Sequence, residues 1–136
     1  MKGIILAGGE GSRLHPVTIS VTKQLLPVYD KPMIYYPLCT LMEANIRKIL
    51  CICTQKELPN FTKLLSDGKQ WGIEISFAIQ NKPKGIAESF IIGSDFINNE
   101  NVALILGDNI FYGIDFEDYL SLDDKRFNGA QIFVYK

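Results

Sequence analysis

The sequence predicts an α/β fold in which a mostly parallel, Rossmann-like sheet is flanked by helices. Short apolar runs rich in β-branched residues alternate along the chain with amphipathic stretches. The run VALIL (102–106) is apolar at consecutive positions, and such a strand needs cover on both faces, which helical crossovers provide. At 136 residues the chain is long enough for about one domain, and its hydrophobic content of 47% is enough to bury a core.

Five apolar segments predict strands, and the stretches between them predict helices. The predicted strands are residues 2–7, 48–54, 74–80, 102–107 and 130–136. The predicted helices are residues 31–46, 57–67, 85–97 and roughly 115–122. Nothing follows the last strand to carry the chain back over it, so we expect the domain to continue past residue 136.

The first predicted helix has the clearest pattern. Ile34, Leu38 and Leu41 recur at helical spacing and form an apolar stripe that faces the core. Pro37 lies inside the same segment, where a proline removes a backbone hydrogen bond, so we expect a kink there.

Charge and composition limit the classes of partner. The 14 Lys and Arg residues are balanced by 15 Asp and Glu residues. The chain therefore lacks the surplus of positive charge that would indicate binding to nucleic acid or to a membrane surface. The N-terminal apolar run is broken by glycines after a few residues, too soon for a signal peptide or a membrane span. We therefore expect a cytoplasmic protein that binds small molecules.

The three cysteines predict neither a disulfide framework nor a zinc site. Their number is odd, no CxxC is present, and the chain has one histidine, His15. Cys51 and Cys53 alternate within a predicted strand and therefore share one face. We expect both to be buried as small apolar side chains.

The segment LAGGEGSRLHPVT (6–18) contains a glycine loop directly after the first predicted strand. Gly8, Gly9 and Gly11 would let backbone N–H groups approach phosphate oxygens at the carboxyl end of the sheet. A dinucleotide fingerprint starting at Gly9 would place Leu14 where a third glycine is needed, which disfavours a Rossmann dehydrogenase. The Gly-Lys-Ser/Thr ending of a P-loop is absent as well.

Two cations follow the glycine loop. Arg13 carries a planar fork of donors that matches phosphate oxygens, and Lys23 carries a mobile point charge. Together they could neutralise a triphosphate. Spacing alone is equally compatible with two solvated surface cations after an ordinary glycine turn.

Asp108 follows a buried strand and stands at the same edge of the predicted sheet. Mg²⁺ in phosphoryl-transfer sites is commonly held by one or two carboxylates and the substrate phosphates, so Asp108 is a candidate ligand. Asp-Asn is also an ordinary turn pair, which is the alternative interpretation.

Gln80 and Gly85 form a third candidate, between a predicted strand and the helix after it. The Gln80 amide can both donate to and accept from a base edge, and the backbone at Gly85 can approach a ring closely. A capped helix start explains the same pattern.

Taken together, these stretches resemble the sugar-1-phosphate nucleotidyltransferases. KGIILAGGEGSRLHPVT is similar to that family's GGxGTRLxPxT signature, and SVTKQLLPVYDKPMIYYPLCTLM is similar to the segment after it in members that act on dTTP. LILGDNIFYG resembles the family's metal-binding strand end. The resemblance covers essentially the whole chain in order and implies the nucleotide-diphospho-sugar transferase fold.

The resemblance also implies a role for each candidate residue. The residues expected to line the nucleoside and phosphates are Leu6, Ala7, Gly8, Gly9, Gly11 and Ser12. Arg13 would clamp the phosphates and Lys23 would hold phosphate oxygens near the reacting centre. The residues expected to read the thymine edge are Gln80 and Gly85, and the Mg²⁺ ligand is Asp108.

The reaction implied by the resemblance is attack by the phosphate of glucose 1-phosphate on the α-phosphorus of dTTP. It yields dTDP-glucose and pyrophosphate, the first step of dTDP-rhamnose and related deoxysugar biosynthesis. Catalysis would consist of positioning two anions and stabilising their charge, with no nucleophilic side chain and no task for His15. The resemblance further implies a homotetramer.

The chain departs from the family pattern in places. Ser12 replaces a threonine, while Lys84 and Ile86 alter the base-reading loop. Family members are about twice as long, so residues 1–136 are expected to be the N-terminal, nucleotide-binding portion, with the sugar-binding portion beyond them. Two alternatives stay open: a module that binds nucleotide and Mg²⁺ without transferring, and a relative with another base or sugar specificity.

Overall fold

A computed structural model of the chain describes residues 1–9, 11–82, 84–112 and 129–133. In chain order the elements are β1 (Lys2–Leu6), β2 (Pro27–Val28), β3 (Lys31–Pro32), α1 (Tyr35–Glu43), β4 (Lys48–Cys53), α2 (Leu58–Leu65), β5 (Glu74–Ile79), α3 (Glu88–Ile92), α4 (Ser94–Ile97) and β6 (Val102–Leu106). Single 3₁₀ turns lie at Ser12–Leu14, Val17–Ile19, Lys23–Leu25 and Lys69–Trp71.

Four parallel strands form the central sheet, in the order β5-β4-β1-β6. Ile4 in β1 stands beside Leu50 of β4 on one side and Leu104 of β6 on the other. The parallel sheet and four of the five predicted strands are therefore confirmed. Each strand ends one residue earlier than the sequence predicts.

The sheet is covered on both faces, as the consecutive apolar residues of its strands require. Ile5 and its neighbours on one face pack in a cluster with Leu38 of α1 and Phe61 of α2. Ile4 and Leu50 point to the other face, where the side chains of α3 and α4 pack against them. Side chains such as Phe61 are completely buried, and each contributes about 1.5–3 kcal/mol through removal of apolar surface from water.

The order of the strands indicates where a ligand would bind. From β1 the chain moves outward through β4 to β5, with α1 and α2 on one face, and then returns past β1 to β6 with α3 and α4 on the other. The direction of winding therefore reverses between β1 and β6. In open α/β sheets the crevice at such a switch point, beyond the carboxyl ends of the strands, is where ligands bind.

The cysteines are free, as predicted, and two of them lie in the core. Cys51 and Cys53 of β4 are completely buried on the same face of the sheet, and Cys39 of α1 is exposed. Burial raises the pKa of the Cys51 thiol, and burial together with the nearby Glu57 raises the pKa of the Cys53 thiol to about 11. Neither thiol carries a charge near neutral pH.

The predicted helix over 31–46 is wrong at its start, because α1 begins at Tyr35. Lys31 and Pro32 instead form β3, which pairs antiparallel with β2 in a small hairpin. The shorter helix also removes the reason for a kink at Pro37. This proline lies in the first turn, where a backbone N–H has no partner within the helix.

The predicted helix over 85–97 is divided in two at Gly93. Its backbone leaves helical geometry there, with φ −86° and ψ 6°, and α4 continues from Ser94. A Cβ on Gly93 would lie 3.1 Å from Cδ1 of Ile4, so the missing side chain lets the helices approach the sheet. The helix predicted over 57–67 is confirmed as α2.

The C-terminal predictions have mixed outcomes. Residues 130–133 form no strand and are exposed, so the prediction of a strand there is wrong for these four residues. The rest of that segment, and the helix predicted over 115–122, lie outside the described residues.

An aromatic pair joins the turn before β5 to α1. The ring of Trp71 meets that of Tyr35 edge to face, with centroids 5.7 Å apart and an interplanar angle of 80°. Edge-to-face packing of this kind is a favoured aromatic geometry. In the parts of the chain that the structure describes, no helix combines the length and apolar character needed to cross a membrane.

Candidate active site

A cleft of about 200 Å³ opens where β1 and β6 end, at the switch point of the sheet. Its walls come from the glycine loop, from the 3₁₀ turn at Lys23 and from the turn after β6. The lining residues are Gly9, Gly11, Ser12, Arg13, Leu14, Lys23, Gln24 and Asp108. Six of these eight residues are among those predicted from the sequence.

Gly11 determines the course of the glycine loop. Its φ of +62° lies in the left-handed region, where a side chain is strained, and Oγ1 of Thr18 donates a 2.7 Å hydrogen bond to its carbonyl oxygen. The N–H of Leu14 donates to the same carbonyl and closes a 3₁₀ turn. This turn leaves Ser12 and Arg13 exposed at the wall of the cleft.

Lys23 and Asp108 meet inside the cleft. Nζ of Lys23 lies 2.7 Å from Oδ2 of Asp108, and the two side chains are 30% and 31% exposed. At this exposure the ion pair contributes at most about 1 kcal/mol. Its importance is positional, because it fixes a cation and a carboxylate together beside a loop of backbone N–H groups.

The backbone before Asp108 directs it into the cleft. The N–H of Gly107 donates to the carbonyl of Leu6, which continues the pairing of β6 with β1 by one residue. The N–H of Asn109 then donates to the carbonyl of Leu106 and turns the chain. Asp108 is thus both a turn residue and a cleft residue, so the two interpretations of the sequence do not exclude each other.

Gln24 is buried and packs against Gly107, next to Asp108. It is 4% exposed, its Oε1 accepts a 2.8 Å hydrogen bond from Oγ1 of Thr22, and its Cγ would lie 3.0 Å from a Cβ on Gly107. Gln24 was not predicted from the sequence, although its position next to Lys23 was a signal. Leu14, also missed, was weighed only as a departure from a glycine motif.

Gln80 adjoins the glycine loop without lining the cleft. It is 2% exposed, and a Cβ on Gly8 would overlap its Oε1. Its Nε2 donates a 2.7 Å hydrogen bond to Oε2 of Glu88 in α3. Glu88 was also missed, because an acidic residue in the first turn of a helix has an ordinary role there.

The remaining predicted residues lie apart from the cleft. Leu6 is the last residue of β1, and the N–H of Ala7 already donates to the carbonyl of Ile52. Gly85 is exposed with φ +102°, a conformation that favours glycine, and it lines no cavity described here. A larger cavity of about 380 Å³, lined by Asn81, Lys84, Glu88 and their neighbours, shares no residue with the cleft.

The cleft offers an oxygen donor of the kind that hard divalent cations use. Within the described ranges, no three His, Cys, Asp or Glu side chains converge as a metal cage. Asp108 contributes one partly exposed carboxylate facing open space. This arrangement suits Mg²⁺, which is often held by one or two carboxylates with water and substrate phosphates.

A doubly wound sheet with a glycine loop, two cations and a carboxylate at its switch point is typical of proteins that bind phosphorylated ligands. Over residues 2–136 the chain matches the family described as nucleotidyl transferase, and it belongs to that family.

Curated relatives of the chain carry the name glucose-1-phosphate thymidylyltransferase. The chain is 57% identical over 136 residues to glucose-1-phosphate thymidylyltransferase of Neisseria meningitidis, and 56% identical over 138 residues to that of Mycolicibacterium smegmatis. These alignments cover 100% and 99% of this chain but 47% and 46% of the relatives. The chain therefore spans about half the length of the curated relatives it matches.

Solved structures share the fold. A crystal structure described as a glucose-1-phosphate thymidylyltransferase from Bacillus anthracis, in complex with a sucrose, is 40% identical with a TM-score of 0.84 over 89% of this chain and 49% of that one. A UDP-glucose pyrophosphorylase complexed with UDP-glucose is 26% identical with a TM-score of 0.74, over 91% of this chain and 53% of that one. The nucleotide-diphospho-sugar transferase fold expected from the sequence is confirmed.

Proposed function

We propose that this chain provides the nucleotide-binding site of a glucose-1-phosphate thymidylyltransferase, which forms dTDP-glucose and pyrophosphate from dTTP and glucose 1-phosphate. The observation that carries the proposal is the meeting of Lys23 and Asp108, 2.7 Å apart, beside the glycine loop at the switch point. The names of the N. meningitidis and M. smegmatis relatives supply the substrates. Formation of dTDP-glucose begins the route to dTDP-rhamnose and related deoxysugars.

The chemistry asked of the chain is charge stabilisation and positioning. Two anions must approach each other, and the backbone N–H groups of Gly9 and Gly11 with the Arg13 guanidinium would offset their repulsion. Arg13 would contact the triphosphate, because its exposed fork faces the cleft and can bind two phosphate oxygens at once. Lys23 would contact the phosphate that reacts.

Asp108 would hold Mg²⁺, which when bound supplies positive charge beside the reacting phosphate. Oδ2 of this carboxylate contacts Nζ of Lys23. Lys23 would turn from Asp108 toward an incoming phosphate when the two residues take these roles. The ion pair holds the two side chains together at the wall of the cleft.

Gln80 would contact the base. It lies at the end of β5 against Gly8, and its amide has both a donor and an acceptor. Gly85, in the exposed loop that follows, would allow the backbone to approach the ring. Leu6, Ala7, Gly8 and Ser12 would complete the nucleotide site.

Pyrophosphate release tests the proposal directly. The protein is given Mg²⁺, glucose 1-phosphate and, in turn, dTTP, UTP, ATP, CTP or GTP. We expect release with dTTP, and less with UTP, because the two bases differ by one methyl group. Binding of dTTP without release would favour a binding module, and release with another nucleotide alone would overturn the base assignment.

UTP is the second candidate substrate on one specific observation. The UDP-glucose pyrophosphorylase structure superposes on this chain with a TM-score of 0.74. Release of pyrophosphate with UTP at a rate above that with dTTP would establish this alternative.

Asp108→Asn separates the metal role from the fold. We expect the variant to lose most Mg²⁺-dependent turnover, by about 100-fold or more, because the amide is a weaker ligand for a hard cation and removes a charge. The control is Asp95→Asn, which removes an exposed carboxylate on α4. Unchanged turnover in Asp108→Asn, with circular dichroism like that of the wild type, would contradict the metal assignment.

Assembly and cellular location complete the proposal. We propose a homotetramer in the cytoplasm, on the resemblance to the sugar-1-phosphate nucleotidyltransferases. Light scattering on the purified protein measures the mass of the assembly, and a monomer at micromolar concentration would contradict the tetramer.

A further inference from the structure

Glu88 lies outside the cleft, yet it contacts the residue proposed to bind the base. Its Oε2 accepts a 2.7 Å hydrogen bond from Nε2 of Gln80 and a 3.1 Å hydrogen bond from the backbone N–H of Lys84. Gln80 is almost completely buried, so water competes little at its end of the contact with Glu88, whereas Lys84 lies in an exposed loop. The three residues make a short relay from the loop after β5 to the amide of Gln80.

The relay gives the Gln80 amide one orientation. A carboxylate only accepts hydrogen bonds, so turning the amide over would place Oε1 against an oxygen of Glu88 and lose a bond. With Nε2 held by Glu88, Oε1 is directed to the glycine loop, where a Cβ on Gly8 would overlap it. The acceptor end of the amide therefore faces the glycine loop, against which the nucleotide is proposed to bind.

We propose that Glu88 is a positioning residue that sets the base specificity of the nucleotide site by fixing the orientation of the Gln80 amide. The inference rests on the proposed function, because it requires Gln80 to contact the base. Thymine and uracil present an N3–H donor beside a carbonyl acceptor, whereas cytosine presents an N3 acceptor beside an amino donor. An amide whose oxygen is offered to N3–H selects thymine or uracil, and the reversed amide suits cytosine.

The backbone N–H of Lys84 is the fixed end of the relay. A main-chain donor cannot exchange places with an acceptor, so it requires an oxygen from the side chain at position 88. Glutamine at that position still presents one oxygen to both Lys84 and Gln80. Leucine presents none, and the amide of Gln80 is then free to take either orientation.

Binding measurements with dTTP and dCTP test the inference. Calorimetry gives both dissociation constants for the wild type, Glu88→Leu, Glu88→Gln and the control Asp95→Asn. We expect Glu88→Leu to reduce the preference for dTTP over dCTP by about 10-fold or more, as expected for one misdirected hydrogen bond in a buried site. Glu88→Gln and Asp95→Asn keep the preference within about 3-fold of the wild type.

The outcomes separate this inference from the proposed function. If the wild type binds neither nucleotide, the proposed function is wrong and the inference is wrong with it. If the wild type prefers dTTP and Glu88→Leu weakens both nucleotides equally, Glu88 only supports the loop and this inference alone is overturned.

A measurement on the free protein covers the case in which Glu88→Leu does not fold. In the ¹⁵N spectrum of the wild type, we expect the side-chain N–H₂ protons of Gln80 to exchange slowly and one of them to be shifted downfield by the carboxylate. In Glu88→Gln the downfield shift decreases while slow exchange persists. A Gln80 amide that exchanges as fast as that of an exposed glutamine, such as Gln55, overturns the inference.

Discussion

At the scale of single residues, the backbone at Gly8 determines how closely the glycine loop and β5 can approach. The space that a side chain would take at this position is filled by Oε1 of Gln80. Gly9, one residue on, is exposed and has no atom within 4 Å of an added Cβ. A close contact therefore excludes a side chain at Gly8, whereas no such contact excludes one at Gly9.

Gly8→Ala and Gly9→Ala form a matched pair for this difference. We expect Gly8→Ala to lower the free energy of unfolding by about 1–3 kcal/mol, because the added methyl group displaces a buried amide. We expect Gly9→Ala to change it by less than about 0.5 kcal/mol. Urea denaturation measures both, and equal effects would show that the contact between Gly8 and Gln80 has no energetic consequence.

Nζ of Lys23 contacts the carboxylate of Asp108, which is proposed to bind the metal. We therefore expect Lys23→Met to raise the affinity of the nucleotide-free protein for Mn²⁺. The gain should be about 3- to 5-fold, which corresponds to the loss of a partly exposed ion pair. Electron paramagnetic resonance of free Mn²⁺ measures it. Lys69→Met, which breaks the exposed pair with Asp67, serves as the control, and weaker binding by Lys23→Met would contradict the proposed competition.

Local sequence revealed the residues whose chemistry is visible among their neighbours. Arg13, Lys23 and Asp108 follow a glycine loop or end a strand, and the structure brings all three to one cleft. Gln24 and Glu88 could not be found in this way. Their importance comes from contacts with Gly107 and Gln80, which lie in other elements, and neither contact is encoded in local spacing.

At the scale of elements, β4 carries two thiols in the core whose pKa values are raised by burial. For Cys53 the pKa rises from 9.0 to about 11, so the folded state favours the protonated thiol. A raised pKa in the folded state stabilises the fold fully below pH 9. That stabilisation is lost as the pH rises from 9 to 11.

We therefore expect Cys53→Ala to be less sensitive to alkaline pH than the wild type. The wild type should be more stable at pH 8, because the alanine leaves a cavity, and its advantage should shrink between pH 9 and 11. Urea denaturation across this range measures the difference, which cancels the titration of lysines and tyrosines common to both proteins. A constant difference would show that Cys53 does not titrate with the fold.

Elements were predictable where the apolar pattern is continuous and unpredictable where a turn interrupts it. The strands of the sheet were placed to within one residue because their apolar runs end at polar or glycine residues. The start of α1 was not, because a proline such as Pro32 is common in the opening turn of a helix, whereas here Lys31 and Pro32 pair with β2. Tyr29, with φ +60° in that hairpin, gives no signal in sequence that the chain reverses there.

At the scale of the whole molecule, β1 and β4 are the inner strands and carry the most buried side chains. We expect their amides to exchange most slowly with solvent, and those of the exposed segment 12–17 to exchange fastest. Addition of dTTP and Mg²⁺ should slow exchange in the glycine loop and around Asp108. Hydrogen exchange with mass spectrometry measures both, and a uniform change over all peptides would contradict a site confined to the switch point.

Trp71 is the only tryptophan in the sequence, and it packs against Tyr35 on the side of α1. The chain therefore contains a single indole fluorophore, and its emission depends on the contact between α1 and the turn before β5. Unfolding would expose the indole to water and move its emission to longer wavelength, while excitation transfer from Tyr35 would be lost. Because Trp71 does not line the cleft, its signal should follow folding and remain insensitive to nucleotide.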